Sequence, residues 1–209
     1  DLAAAATLNM RSIQTNLSSG FSIPINEVDR LAEASGARAI LLANPNNPTG
    51  KVYSRQELQG LLDIARRRSL ILILDESFSE IVHTPEAWEN PGVVADPALV
   101  VVNSFSKNYH LQGLRLGACL VHRKFFEAVV TVHQTILSAA PSLSQNVALA
   151  LLEDNAIPAP DYRAQREMAL DFVSRMGWRA HAPEGTFYVF PEVRDLEEFR
   201  RAAAARQVH

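Results

Sequence analysis

Two periodicities alternate along the first part of the chain. Ala39-Ile-Leu-Leu-Ala43, Leu70-Ile-Leu-Ile-Leu74, Ala98-Leu-Val-Val-Val102 and Leu116 to His122 are short apolar runs, the pattern of buried strands. Between them lie stretches with helical spacing. Asn26 to Ala34 carries Ile25, Val28 and Leu31 on one face, with Gly36 just beyond its end. Ser54 opens a second helix, and Glu57 three residues later completes a capping box, each side chain serving an exposed N–H of the first turn. Leu58, Leu61, Leu62 and Ala65 form its apolar face. Arg66, Arg67 and Arg68 close it, where cations suit the helix dipole, and the triplet reads as a solvated helix end. Strand, helix, strand in this order predicts an α/β domain: a mostly parallel sheet with helices on both faces.

Past Lys124 the pattern becomes helical, over 124–138, 142–153 and 161–176. Asn155–Pro160, with two prolines, reads as a break. Trp178 to Pro191 predicts two short strands around a Pro183-Glu-Gly185 turn, and Asp195 to Arg206 a helix. The expected division is a larger domain over 1–154 and part of a small α/β C-terminal domain over 155–209. A helix is also expected over part of Asp1–Arg11, within an otherwise ambiguous stretch.

Composition narrows the class. Apolar residues make up 47% of the 209 and charged residues 21%, with a formal net charge of -3, the balance of a globular protein rather than a disordered one. No basic block points to nucleic acid or a membrane surface. No apolar run approaches the length of a membrane span. Cys119 is the single cysteine, so no internal disulfide forms, and a reducing, cytoplasmic setting is the expectation. None of the six histidines has a second ligand at metal-site spacing, and no metal is expected. His110, close to Lys107, reads as a loop histidine. There is no Walker loop and no dinucleotide fingerprint.

The chemistry concentrates in loops that follow the apolar runs: Asn44-Pro-Asn-Asn-Pro-Thr-Gly50, Asp75-Glu-Ser-Phe78, and Ser104-Phe-Ser-Lys107 with Gly113-Leu-Arg115-Leu-Gly117. In parallel sheets ligands bind beyond the carboxyl ends of the strands, which is where these loops leave. Ser104-Phe-Ser-Lys107 also satisfies the Ser-x-x-Lys pattern of penicillin-binding proteins, but the companion motifs are absent.

In order and spacing these loops resemble the fold-type I pyridoxal-phosphate enzymes, in particular the class I/II aminotransferases. The resemblance is strong over 40–122. It extends more loosely to Glu184-Gly-Thr-Phe-Tyr-Val-Phe190, which looks like the family's small-domain segment. It implies pyridoxal 5'-phosphate as cofactor, an amino acid and a 2-oxo acid as substrates, and a homodimer. Lys107 matches the lysine that bonds the cofactor's aldehyde, and Asp75 the acid that keeps the ring nitrogen protonated. Asn47 matches the asparagine on the ring hydroxyl, and Ser104, Ser106 and Arg115 match the phosphate ligands. An arginine suits phosphate because its planar fork donates two parallel bonds.

Two departures from the family stand out. Phe78 occupies the position of a tyrosine that shares the ring-hydroxyl bond, and phenylalanine cannot donate it. Relatives in the threonine-phosphate decarboxylase group resemble this sequence there, so a decarboxylase of the same fold is the second reading. Complete family members are also longer at both ends, so the chain is expected to be incomplete. A truncated, inactive homologue serving as a binding or dimerisation partner is the third reading.

Overall fold

Residues 8–83, 96–154, 160–193 and 195–205 are described by the structure, a computed structural model. Four strands, β1 (Ala39–Ala43), β2 (Ile71–Asp75), β3 (Leu99–Ser104) and β4 (Gly117–Val121), form one sheet in the order β1-β2-β3-β4. The first three are mutually parallel and β4 runs antiparallel to β3. The mostly parallel α/β architecture expected from the apolar runs is therefore present.

One face of this sheet is packed. Helices α1 (Ile25–Ser35) and α2 (Arg55–Arg68) lay Val28, Ala32, Leu58, Leu61, Ile64 and Ala65 against Leu72, Leu74, Leu99 and Val101. Burial of these apolar side chains drives the assembly, at roughly 1.5–3 kcal/mol for each large residue fully removed from water. The capping box at the start of α2 is formed: Ser54 Oγ accepts from Glu57 N–H and Glu57 Oε2 accepts from Ser54 N–H. Arg66 and Arg67 are exposed at the solvated helix end that was expected, and the whole triplet is ion-paired as well. Arg66 pairs with Asp96 and Asp63, Arg67 with Asp29, and Arg68 with Asp29 and Glu33. It binds the end of α2 to α1, because acidic side chains from a neighbouring helix and a loop converge on it.

The other face is open among the described residues: Leu41 is 66% exposed, and Val102 and Leu120 are also exposed. After the one-turn helix α3 (Phe105–Asn108) come α4 (Phe126–Leu137), α5 (Ser142–Asp154) and α6 (Arg163–Arg175). No residue of α4 is buried. Of α5, Ser144 and Ala148 are buried, and Ser144 Oγ donates to Leu114 C=O at 2.8 Å.

A separate antiparallel pair, β5 (Arg179–Ala180) with β6 (Pro191–Glu192), precedes α7 (Leu196–Ala205). The strands expected around Pro183 are shorter than the pattern suggested. Their intervening backbone is engaged elsewhere: Glu184 and Gly185 N–H both donate to Gly50 C=O, Thr186 N–H donates to Ile81 C=O, and Val82 bridges Gly185. The expected N-terminal helix has no counterpart at residues 8–11, and 1–7 lie outside the described residues. So do 155–159, where the domain division was expected. Among the described residues no helix is long and apolar enough to cross a membrane.

Candidate active site

Because β1, β2 and β3 are parallel, their carboxyl ends share one edge, in the register Ala43–Asp75 and Asp75–Val102. Two backbone bonds continue the ladder past the strands: Asn44 N–H donates to Asp75 C=O at 2.9 Å and Glu76 N–H to Val102 C=O at 2.7 Å. The loop Asn44–Gly50, the turn after Asp75 and the helix carrying Lys107 therefore leave side by side. The antiparallel β4 adds what sequence did not predict. Its amino end lies at the same edge, with Gly117 opposite Ser104, and this returns Arg115 to that edge. A Cβ on Gly117 would stand 2.8 Å from Asn103 C=O, so glycine permits this approach.

Asp75 ends β2 half-buried. Its Oδ1 accepts from Ser77 Oγ at 2.5 Å and from Ser77 N–H at 3.0 Å, leaving Oδ2 without a partner among the described residues. Ser104 caps α3, its Oγ accepting from Ser106 N–H at 3.2 Å, so its hydroxyl proton stays available to an incoming acceptor. Arg115 is exposed, with φ +52°, and gives one bond to Gln112 C=O. Asn47 is exposed in the turn of the first loop.

The three lysines of the chain differ in environment. Lys51 is ion-paired with Glu184 at 3.0 Å and Lys124 lies over the Phe125 ring. Lys107 is half-buried and has no hydrogen bond or ion pair among the described residues. The donor set fits pyridoxal phosphate: an unpaired amine, a carboxylate with a free oxygen, and two hydroxyls with a guanidinium for a phosphate. Phe78 lies three residues past Asp75, but its ring is buried against Phe187 and Tyr188, with centroids 5.2 and 5.7 Å away.

Three polar residues that the sequence did not single out are built into this edge. Asn108 is fully buried and bonded to the turn after Asp75. Glu76 is 5% exposed, its Oε1 is buried without a partner, and burial, aided by the charge of Glu80, pushes its carboxyl up to about 7. Glu184 accepts from Lys51 Nζ and, at 2.9 Å, from Val52 N–H, pinning the Pro183–Thr186 segment against the first loop. Sequence offered one signal for Glu184, its place in the motif-bearing segment; Glu76 and Asn108 gave none beyond adjacency to Asp75 and Lys107.

The model of the class I and II aminotransferases matches residues 1–209. An aspartate aminotransferase of Thermotoga maritima is 32% identical over 193 residues, 91% of this chain and 50% of its own. A putative aminotransferase of Bacillus subtilis is 29% identical over 192 residues, 88% of this chain and 49% of its own. The crystal structure of an aspartate aminotransferase from Thermotoga maritima superposes with a TM-score of 0.85 at 28% identity, over 97% of this chain and 55% of that one. The chain spans about half the length of the curated relatives it matches. On the match of the family model and these similarities, the chain belongs to the class I and II aminotransferases.

Proposed function

We propose that the natural-length protein is a pyridoxal-phosphate-dependent aminotransferase that exchanges an amino group between an amino acid and a 2-oxo acid. The observation that carries this reading is the gathering of Asp75, Ser104, Ser106, Lys107 and Arg115 at one sheet edge, in a chain whose cited relatives are named as aminotransferases. Those names also favour it over the decarboxylase and the inactive homologue.

When bound, pyridoxal phosphate supplies an electron sink for the bond broken at the substrate's α-carbon. Lys107 would hold it through Nζ, and the same amine would be the base for the substrate's α-proton. Asp75, whose Oδ2 has no partner among the described residues, would keep the ring nitrogen protonated. Ser104, Ser106 and Arg115 bind the phosphate, and Asn47 binds the ring hydroxyl without help from Phe78. The proposal includes two domains, over 1–154 and 155–209, and a cytoplasmic homodimer. The lone Cys119 supports the location, and the exposed apolar residues of α4 and α5 support the dimer.

The test is a visible absorption spectrum after adding pyridoxal phosphate. A band of the lysine-bound cofactor is expected in the wild type and is expected to be absent in Lys107→Ala. An identical band in both proteins would place the attachment elsewhere.

A further inference from the structure

Asn108 directly follows Lys107 and is 0% exposed. Its Nδ2 donates to Asn103 Oδ1 at 3.0 Å and to Ser79 Oγ at 3.1 Å, with a longer contact of 3.4 Å to Glu76 C=O. Its Oδ1 accepts from Glu80 N–H at 3.1 Å. Asn103 Nδ2 donates to the same Ser79 hydroxyl at 3.2 Å. The backbone N–H of Glu80 fixes which end of the carboxamide is oxygen, since that donor needs an acceptor.

One side chain thus joins three places: the end of β3, the turn that follows Asp75, and the residue beside Lys107. Burying a carboxamide is favourable only when its groups are paired, since each lost partner costs about 1–3 kcal/mol. Here every partner comes from the two segments that carry the cofactor residues. Helix α3 spans only four residues, and one turn has little rigidity of its own. The direction of Lys107 therefore depends on what tethers this turn.

We propose that Asn108 is a positioning residue that fixes Lys107 relative to Asp75 by bridging α3 to the turn at 76–80. This rests on Lys107 and Asp75 being the cofactor residues, as proposed above. A misplacement of the amine slows covalent attachment more than it weakens non-covalent binding, because binding depends on the phosphate ligands and bond formation on alignment.

The experiment uses the natural-length protein and pyridoxal phosphate as probe. The rate at which the lysine-bound band appears is followed against cofactor concentration, and the band is then titrated with pH. In Asn108→Ala the maximal attachment rate should fall about tenfold or more, with the half-saturating concentration changed less than about threefold. The pH midpoint of the band should move by at least about half a unit, because the amine's surroundings change. A purely structural role would lower thermal stability and leave both quantities in place. Ser79→Ala and Asn103→Ala each remove one acceptor and should shift both in the same direction by less. Unchanged rate and midpoint in folded Asn108→Ala overturn the proposal. If that variant does not fold, unchanged values in both Ser79→Ala and Asn103→Ala do so. A wild type without the band overturns the cofactor assignment, and this proposal with it, whereas a normal wild type with unaffected variants overturns this proposal alone.

Discussion

Glu76 continues the buried alternation of Leu72 and Leu74, while Asp75 faces the other way, half-exposed. Successive side chains of a strand point to opposite faces, so adjacent acids meet opposite environments. Burial raises the Glu76 carboxyl to about 7, and the nearby Glu80 adds to it. A carboxyl raised in the folded state favours the protonated form there. Its contribution to stability is complete below its ordinary range near 4.5 and is lost as pH rises through about 7. Denaturant unfolding at pH 5 and pH 8 should therefore show the wild type losing about 2–3 kcal/mol more than Glu76→Gln over that interval. Equal losses would mean that Glu76 is ionised and solvated throughout. Asp75 and Lys107 stood out in the sequence because they match positions of the family's motifs, in loops that leave apolar runs. Glu76 and Asn108 did not, because their burial depends on Ser79, Asn103 and other neighbours that only folding brings together.

At the scale of elements, the three parallel strands and the helices other than the single turn of α3, which read as a loop, were legible because each satisfies a local rule: apolar periodicity, a capping box, or a glycine after the last turn. The direction of β4 was not, since an apolar run reads alike both ways. It is visible only in the folded register, which sets Gly117 opposite Ser104. The docking of Pro183–Thr186 was hidden for a similar reason, its partners Gly50 and Lys51 being more than a hundred residues away in sequence. Gly50 shows how tight that seam is. Its φ is +69°, and a Cβ there would lie 2.3 Å from Pro183 Cβ. Gly36, at the end of α1, has φ +60° with nothing within 4 Å of such a Cβ. Gly36→Ala should cost about 1–2 kcal/mol from conformation alone. Gly50→Ala meets the same strain and a steric overlap, and should cost at least about 2 kcal/mol more. Thermal unfolding of the two variants compares them directly; equal losses would mean that the seam yields freely.

At the scale of the molecule, one sheet face is packed and the other is open among the described residues, and α4 presents Phe126, Val132 and Ile136, the first of them 56% exposed, to solvent. Contiguous apolar surface of this kind marks an interface. We expect the natural-length protein to self-associate, so light scattering over a range of concentrations should give a dimer mass; a constant monomer mass would refute the homodimer. The central claim is narrower than assembly: the shared sheet edge of β1, β2 and β3 holds pyridoxal phosphate through Lys107. Borohydride reduction of the cofactor-loaded protein, followed by peptide mapping, tests it most directly. The account predicts a pyridoxyl label on Lys107, and a label on Lys51 or Lys124 in its place would contradict it.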